Sequence, residues 1–370
     1  MNKLISSNYV KMGSYSEEDV KFLLKDLSNI QLEGSTETRE KRIQSGEHYS
    51  ESLPMEYHPP KEYLELFHQT LLEYKNNVAL YVGVVAEQIL KNKGEDAVLV
   101  SLARAGTPIG ILIKRYIRWK YEINLAHYSI SIIRGRGIDK NAIKYMLQKH
   151  SASDLQFVDG WTGKGAISKE LTKSCRDLKD QHGIELDDTL AVVADPGHCT
   201  TLFGTRDDFL IPSACLNSTV SGLVSRTVLN DQYIGQNDFH GAKYYRELSD
   251  VDYSNDYLNE IASCFPAVRQ KVSLKLSELS KVNAQPTFSG LSTVHKIMEE
   301  FNITDVNRVK PGVGETTRVL LRRVPWKILI KDMDSPYVKH ILMLCNEKNV
   351  QIEEYPNMEY TCCGLIKNVR

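Results

Sequence analysis

The chain has 370 residues, enough for two ordinary domains, and its 42% hydrophobic and 25% charged residues exclude a largely disordered protein. Lys plus Arg number 46 against 47 Asp plus Glu, so the net charge of −1 excludes a globally cationic nucleic-acid binder but leaves room for a local basic patch. No apolar run approaches the ~20 residues of a membrane span, no apolar signal core is read near Met1, and seven cysteines without a CxxC pair read as reduced thiols of a cytoplasmic protein.

In chain order, SEEDVKFLLKDL (Ser16 to Leu27) has the spacing of an amphipathic helix capped by Ser16. Residues 1–60 read as an extension, because a charged, Gly- and Ser-containing stretch follows and Pro59-Pro60 closes it. A main domain is expected over 61–283. It opens with one long or two successive helices, and from Asp96 the period changes. AVLVSLARAG is a strand ending at Gly106, followed by the helical PIGILIKRYIRWKY. INLAHYSISII is a second strand, ending in the loop RGRGID, and AIKYMLQKH is helical. LQFVDG is a third strand running into WTGKG, before the helix AISKELTKSCRDLKDQ and the strand TLAVVADPG. This alternation implies an α/β fold with a largely parallel sheet, in which ligands collect at the carboxyl ends of strands. NEIASCFPAVRQKVSLKLSEL is helical and VNAQPTFSG a linker. Residues 290–370 alternate again as a small α/β/α unit.

The most informative segment is Leu155 to Leu171. A strand delivers Asp159, glycines 160, 163 and 165 allow tight turns, Thr162 and Lys164 offer a hydroxyl and a cation, and a helix starts immediately after. Those parts make an anion site. It is not a Walker A loop, since Gly160 and Gly163 are too close. The polar stretch Ala194 to Thr227 is a candidate lid or substrate wall. His198, Arg206, Asp207, Asp208, Asn217 and Ser218 are its candidates for touching an acceptor or a metal, with a helix cap or solvated turn as the plainer role of the two aspartates. Cys215 within it is either a nucleophile, with His198, His48 or His240 as base, or an inert small hydrophobe. Between Arg308 and Lys327 six cations face Glu315 alone, a basic stripe suited to structured RNA.

Several of these motifs resemble known families. FVDGWTGKG is similar to the ribose-5-phosphate loop of type I phosphoribosyltransferases. That resemblance implies that Asp159 holds ribose hydroxyls and that Thr162, Gly163, Lys164 and Gly165 take the 5-phosphate, with Val158 standing where a first acid is usual. SLARAGTPIG resembles the pyrophosphate loop of the same family. Arg104 would bind pyrophosphate, Gly106 would let the backbone approach it, and Arg134 and Arg136 of RGRG could reach it. More specifically, GSYSEEDVKFLLK, SGEHYSESL, FVDGWTGKG and FGTRDDFLIPSACLNSTVSGLVSRT together resemble the phosphoribosyltransferase family of tellurite-resistance and stress operons, some members of which are labelled cysteine protease StiP. The resemblance implies transfer from PRPP, with Mg2+, to a base-like or nucleoside-like acceptor, with Asp159, Arg104, Arg134 and Arg136 as the catalytic set. The rivals are a cysteine hydrolase using Cys215 and a non-catalytic nucleotide/RNA sensor. PGVGETTRVLLRRV and DMDSPYVKHILMLCNEKNVQIEEY resemble the Pelota-type RNA-binding fold. There Glu315 and Arg318 match RNA-contacting positions, Arg322 and Arg323 extend the set, and Gly314 replaces an Asn.

Overall fold

The computed structural model describes residues 9–35, 46–282 and 284–367. Residues 36–45 of the charged stretch read after Leu27 lie outside the described residues. Ser16–Leu27 does not form the expected helix. A turn leads instead into two short strands, β1 (Lys21–Phe22) and β2 (Lys25–Asp26). Val20, Leu23, Leu24 and Leu27 have helical spacing, yet all four are buried against distant strands. The Leu23 amide donates to Ser129 O and the Lys25 amide to His240 O, so long-range pairing overrides the local pattern. Strands β3 (Glu33–Gly34) and β4 (Leu53–Pro54) pair with each other.

Helix α1 (Lys61–Lys93) is one continuous helix. Its buried Leu66, Phe67, Leu71, Tyr74, Val78, Val82, Val85 and Ile89 recur every three or four residues, which makes one face apolar. The alternation that follows is β5 (Val98–Ala103), α2 (Gly106–Tyr121), β6 (Ala126–Ile133), β7 (Gly137–Ile138), α3 (Lys140–Met146), β8 (Leu155–Trp161), α4 (Ala166–His182), β9 (Leu190–Ala194) and β10 (Leu202–Thr205). Strand order is β1-β6-β5-β8-β9-β10, all parallel, with β7 antiparallel on β6. Both faces are covered. Leu99 of β5 packs in the cluster with α1 and α2, while Val98 and Val100 pack with α3 and α4. Strand β11 (Gly241–Ala242) pairs with β2, and helices α5 (Ser254–Ala262) and α6 (Phe265–Leu279) follow.

The second body comprises α7 (Ser289–Glu300), β12 (Val309–Pro311), α8 (Val313–Arg322), β13 (Pro325–Ile330), α9 (Lys339–Glu347), β14 (Gln351–Glu354) and β15 (Cys362–Ile366). Sheet order is β12-β15-β13-β14, which places the unanticipated β15 in the interior. Alternate residues serve opposite faces. Leu329, Cys363 and Leu365 pack with α7, whereas Ile328, Ile330 and Cys362 pack with α8 and α9. That second face runs into the core of the first body, where Val313 and Leu320 share one apolar cluster with Phe209, Cys215 and Leu216. The mixed α/β architecture with a parallel sheet is thus evident, and the two bodies are fused by packing. Among the described residues no helix is long and apolar enough to cross a membrane.

Candidate functional site

Adjacent parallel strands β5 and β8 end beside each other, and α8 of the second body closes the space over their carboxyl ends. The loop after β5 lies tight on β8. A Cβ at Gly106 would sit 2.5 Å from the Val158 carbonyl oxygen, so only glycine permits that approach. Where α8 begins, Gly312 has φ 87° and its missing Cβ would strike Trp161. The carboxylate of buried Asp208, from the first body, accepts from Val313 N at 3.0 Å and Thr361 N at 2.9 Å. It therefore satisfies one of α8's orphan amides at its positive end, which fixes the helix against the first body. Burial raises the Asp208 carboxyl to about 7 despite those donors.

A cavity of about 250 Å³ opens between the bodies, lined among others by Arg104, Asp159, Trp161, Phe209, Asn217 and Arg318. A second, of about 280 Å³, shares Arg104, Asn217, Glu315 and Arg318 with it and adds Glu56, Lys310, Arg322 and Arg323. Asn217 Oδ1 accepts from Arg104 Nη2 at 3.2 Å and from Arg322 Nη1 at 2.6 Å. Arg322 Nη2 also donates to Cys215 O at 2.6 Å, and Arg318 Nε to Ala214 O at 3.1 Å. Glu315 lies 3.6 Å from Arg318 and 3.9 Å from Lys310. Burial, and then the neighbouring Arg318 and Arg104, pull Arg322 down to about 10. Burial lifts Asp159 to about 7, opposed by a single N–H from Gly160 at 2.7 Å. The cleft thus holds crowded, partly desolvated cations and one carboxyl poised near neutrality.

The remaining candidates are placed around this cleft. Thr162, Gly163, Lys164 and Gly165 line a third cavity with Arg134, which shares Trp161 and Glu315 with the first and Lys310 and Glu315 with the second. The Thr162 hydroxyl donates to Asp195, and Lys164 Nζ donates to Val306 O at 2.9 Å and Val309 O at 3.1 Å, which makes it a strut between the bodies. Arg134 stacks over Tyr49 at 5.5 Å, and Arg136 pairs with Glu51 at 2.7 Å. His198 Nε2 stands 4.0 Å from Glu359, Arg206 pairs with Asp195, and Asp207 accepts from the Tyr81 hydroxyl at 3.2 Å. Ser218 donates its amide (3.1 Å) and hydroxyl (2.8 Å) to Glu56. Sequence reading missed Glu56, Trp161 and Phe209, and counted Lys310 only within the basic stripe. Trp161 was legible as the aromatic after Asp159-Gly160, whereas nothing local marks Glu56.

Cys215 is fully buried, its thiol meets the Thr70 hydroxyl at 3.9 Å, and burial pushes it to about 11. Cys199 donates to Gly163 O at 3.3 Å and is pushed to about 12, again by burial. No cysteine is hydrogen-bonded to a histidine among the described residues. His48 Nδ1 is bonded to Ser50 and His240 Nδ1 to Ser131. Nor does any group of three His, Cys, Asp or Glu side chains among those residues suit a metal ion held by protein ligands alone.

These features define a two-body α/β protein with a cation-rich cleft at the carboxyl ends of parallel strands. The chain belongs to the StiP family. Residues 13–262 match the family model described as tellurite-like stress resistance cysteine protease StiP, and residues 288–368 match the PELOTA RNA binding domain. "Cysteine protease StiP" of Acinetobacter baylyi is 36% identical over 334 residues, covering 87% of this chain and 85% of that protein. A solved xanthine-guanine-hypoxanthine phosphoribosyltransferase from Helicobacter pylori covers 38% of this chain and 80% of its own, at 16% identity and a TM-score of 0.24, too low to assign a fold.

The expectation of a PRPP-dependent phosphoribosyltransferase is overturned by these matches, which carry the cysteine-protease description. The geometry gives a physical reason. Val158 leaves Asp159 without a partner acid, and the loop's Thr162 and Lys164 already bond within the protein. The transferase assignment goes, and PRPP with it. The tellurite-like stress context and the Pelota-type second body stand.

Proposed function

We propose that the chain is a cysteine hydrolase of the StiP type that recognises an anionic substrate in the cleft, with Cys215 as nucleophile. The observation supporting this reading is a shared wall. Arg104 and Arg322 meet on Asn217, and Arg322 also holds the carbonyl of Cys215, so cations from both bodies converge on the short segment that carries the cysteine. Fixed guanidinium forks suit carboxylate or phosphate groups. A thiol held at about 11 is not a nucleophile at neutral pH. Hydrolysis therefore requires the Pro212–Cys215 turn to swing the side chain from the core into the cleft. There Asp159, near 7, has the matched basicity of a general base.

The test is peptide-mapped labelling by a thiol-reactive probe across pH, with and without substrate peptides, alongside Cys215→Ser. Substrate-dependent labelling at Cys215 and loss of hydrolysis in the variant support the reading. A Cys215 that never labels, with hydrolysis intact in the variant, removes it as nucleophile.

The first body is read as type I phosphoribosyltransferase-like in topology, supported by the loops after adjacent strands β5 and β8; fold likeness carries no activity with it. The match to the Pelota domain supports RNA as a partner of the second body. Filter binding of the full chain to total tRNA at two salt concentrations tests that, and salt-insensitive or absent binding would exclude it.

A further inference from the structure

Part of the stripe expected to meet RNA is turned toward the first body. Val313 and Leu320 of α8 are buried in the apolar cluster that joins the two bodies, and Arg318 and Arg322 are bonded to Ala214, Cys215 and Asn217 of the first body. Two adjoining cavities reach them, of about 250 and 280 Å³, each just under the roughly 300–1,000 Å³ of a typical small-molecule site and joined through Arg104, Asn217, Glu315 and Arg318.

The two cavities differ in chemistry. Arg104, Lys310, Arg318, Arg322 and Arg323 line the second, against Glu56 and Glu315, with Arg226 stacked on Tyr49 beside them. Like charges this close and partly desolvated repel one another, and a ligand with several negative charges relieves that repulsion. The first cavity is walled mainly by Pro108, Ile109, Trp161, Phe209 and Ile211, with Asp159 lining it and Arg104, Arg318 and Glu315 on the side shared with the second. It suits a flat, uncharged group with a polar edge.

We propose that α8 is, in this chain, a wall of a composite small-ligand site, and that the ligand is a compact polyanion of the polyphosphate class carrying a flat apolar group. The inference rests on the cleft of the preceding section being the working site. It goes further in naming the ligand chemistry and in giving the Pelota-type helix a role other than RNA contact. Arg318 and Arg322 grip the charged end jointly with Arg104, so neither body binds it tightly alone. Trp161 packs against the flat end.

The experiment uses the full chain and two probes, tripolyphosphate by calorimetry and the fluorescent flat trianion hydroxypyrene trisulfonate. At equal ionic strength tripolyphosphate is expected to bind at least tenfold more tightly than orthophosphate, and to displace the dye. Arg318→Ala and Arg322→Ala each weaken both probes at least tenfold, Arg322→Lys recovers part of the loss, and Arg269→Ala on the outside of α6 changes nothing. Trp161→Ala weakens the dye but not tripolyphosphate. Polyanion affinity unchanged in the Arg318 and Arg322 variants overturns the proposal, as does tRNA binding that is lost in those variants and not competed by tripolyphosphate. The readout is binding and not thiol chemistry, so the proposal can fail while the hydrolase reading stands.

Discussion

The segment from Pro212 to Asn217 has two sides, and burial acts on them in opposite ways. On the core side Cys215 packs against Thr70, and loss of water keeps its thiol protonated and chemically quiet. On the cleft side Asn217 gathers Arg104 and Arg322, and loss of water makes the guanidiniums repel one another and favours an anion between them. One wall therefore separates a silenced nucleophile from an anion-seeking surface. Burial alone does not make a functional residue; what matters is whether the buried group has an open cavity in front of it.

The largest expected effect tests what holds the cleft shut. Asp208→Ala strips the acceptor from the buried amides of Val313 and Thr361 and should cost about 2–4 kcal/mol of stability in urea unfolding. Asp208→Asn keeps an acceptor and should cost less; equal losses would mean the cap bonds contribute little.

Next is the quiet side. With its thiol near 11, Cys215 in the ligand-free protein should react with a thiol probe at pH 7 on the order of a hundredfold more slowly than a free cysteine. A rate equal to the free thiol would break the contrast drawn above.

The cleft side titrates instead. Asp159's carboxyl is raised in the folded protein, so the folded state binds a proton that the unfolded state has lost between about pH 4 and 7. Its contribution is full below the unfolded value and disappears as pH rises through about 7. Stability should therefore fall from pH 5 to pH 7, and Asp159→Asn should flatten that slope by up to about 1.4 kcal/mol per pH unit. An unchanged slope would place the carboxyl in contact with water.

The smallest effect sharpens the charge argument. Glu56→Gln keeps an acceptor for Ser218 but removes one of the two carboxylates facing the cations. Affinity for tripolyphosphate should rise about threefold.

Much of this architecture was legible because apolar runs and glycines mark it: β5 breaking at Gly106 and β8 running into Gly160–Gly165 gave the two strand ends that frame the cleft. Arg104, Asp159, Asn217, Glu315 and Arg318 were all singled out, and the structure brings them to one cavity. Three things were hidden. Ser16–Leu27 carries a true helical period, and pairing with β6 and β11 overrides it. The Cys362–Ile366 strand has two cysteines and a glycine, a weak local signal, although Tyr360 and Leu365 anchor it in the core. Most consequential was the direction α8 faces. Its arginines read as a surface stripe, because a sequence shows charge along a helix but not which body it packs against. The same blindness made Lys164 a phosphate ligand on paper, where in the fold it ties the glycine loop to Val306 and Val309.

The most direct test of the jointly built anion site is a crystal structure of the full chain grown with tripolyphosphate. The account predicts phosphate oxygens within hydrogen-bond distance of Arg104 from the first body and of Arg318 and Arg322 from the second, in one molecule of ligand. Phosphates seated only at Thr162–Gly165, or on the outer surface with no contact to α8, would contradict it.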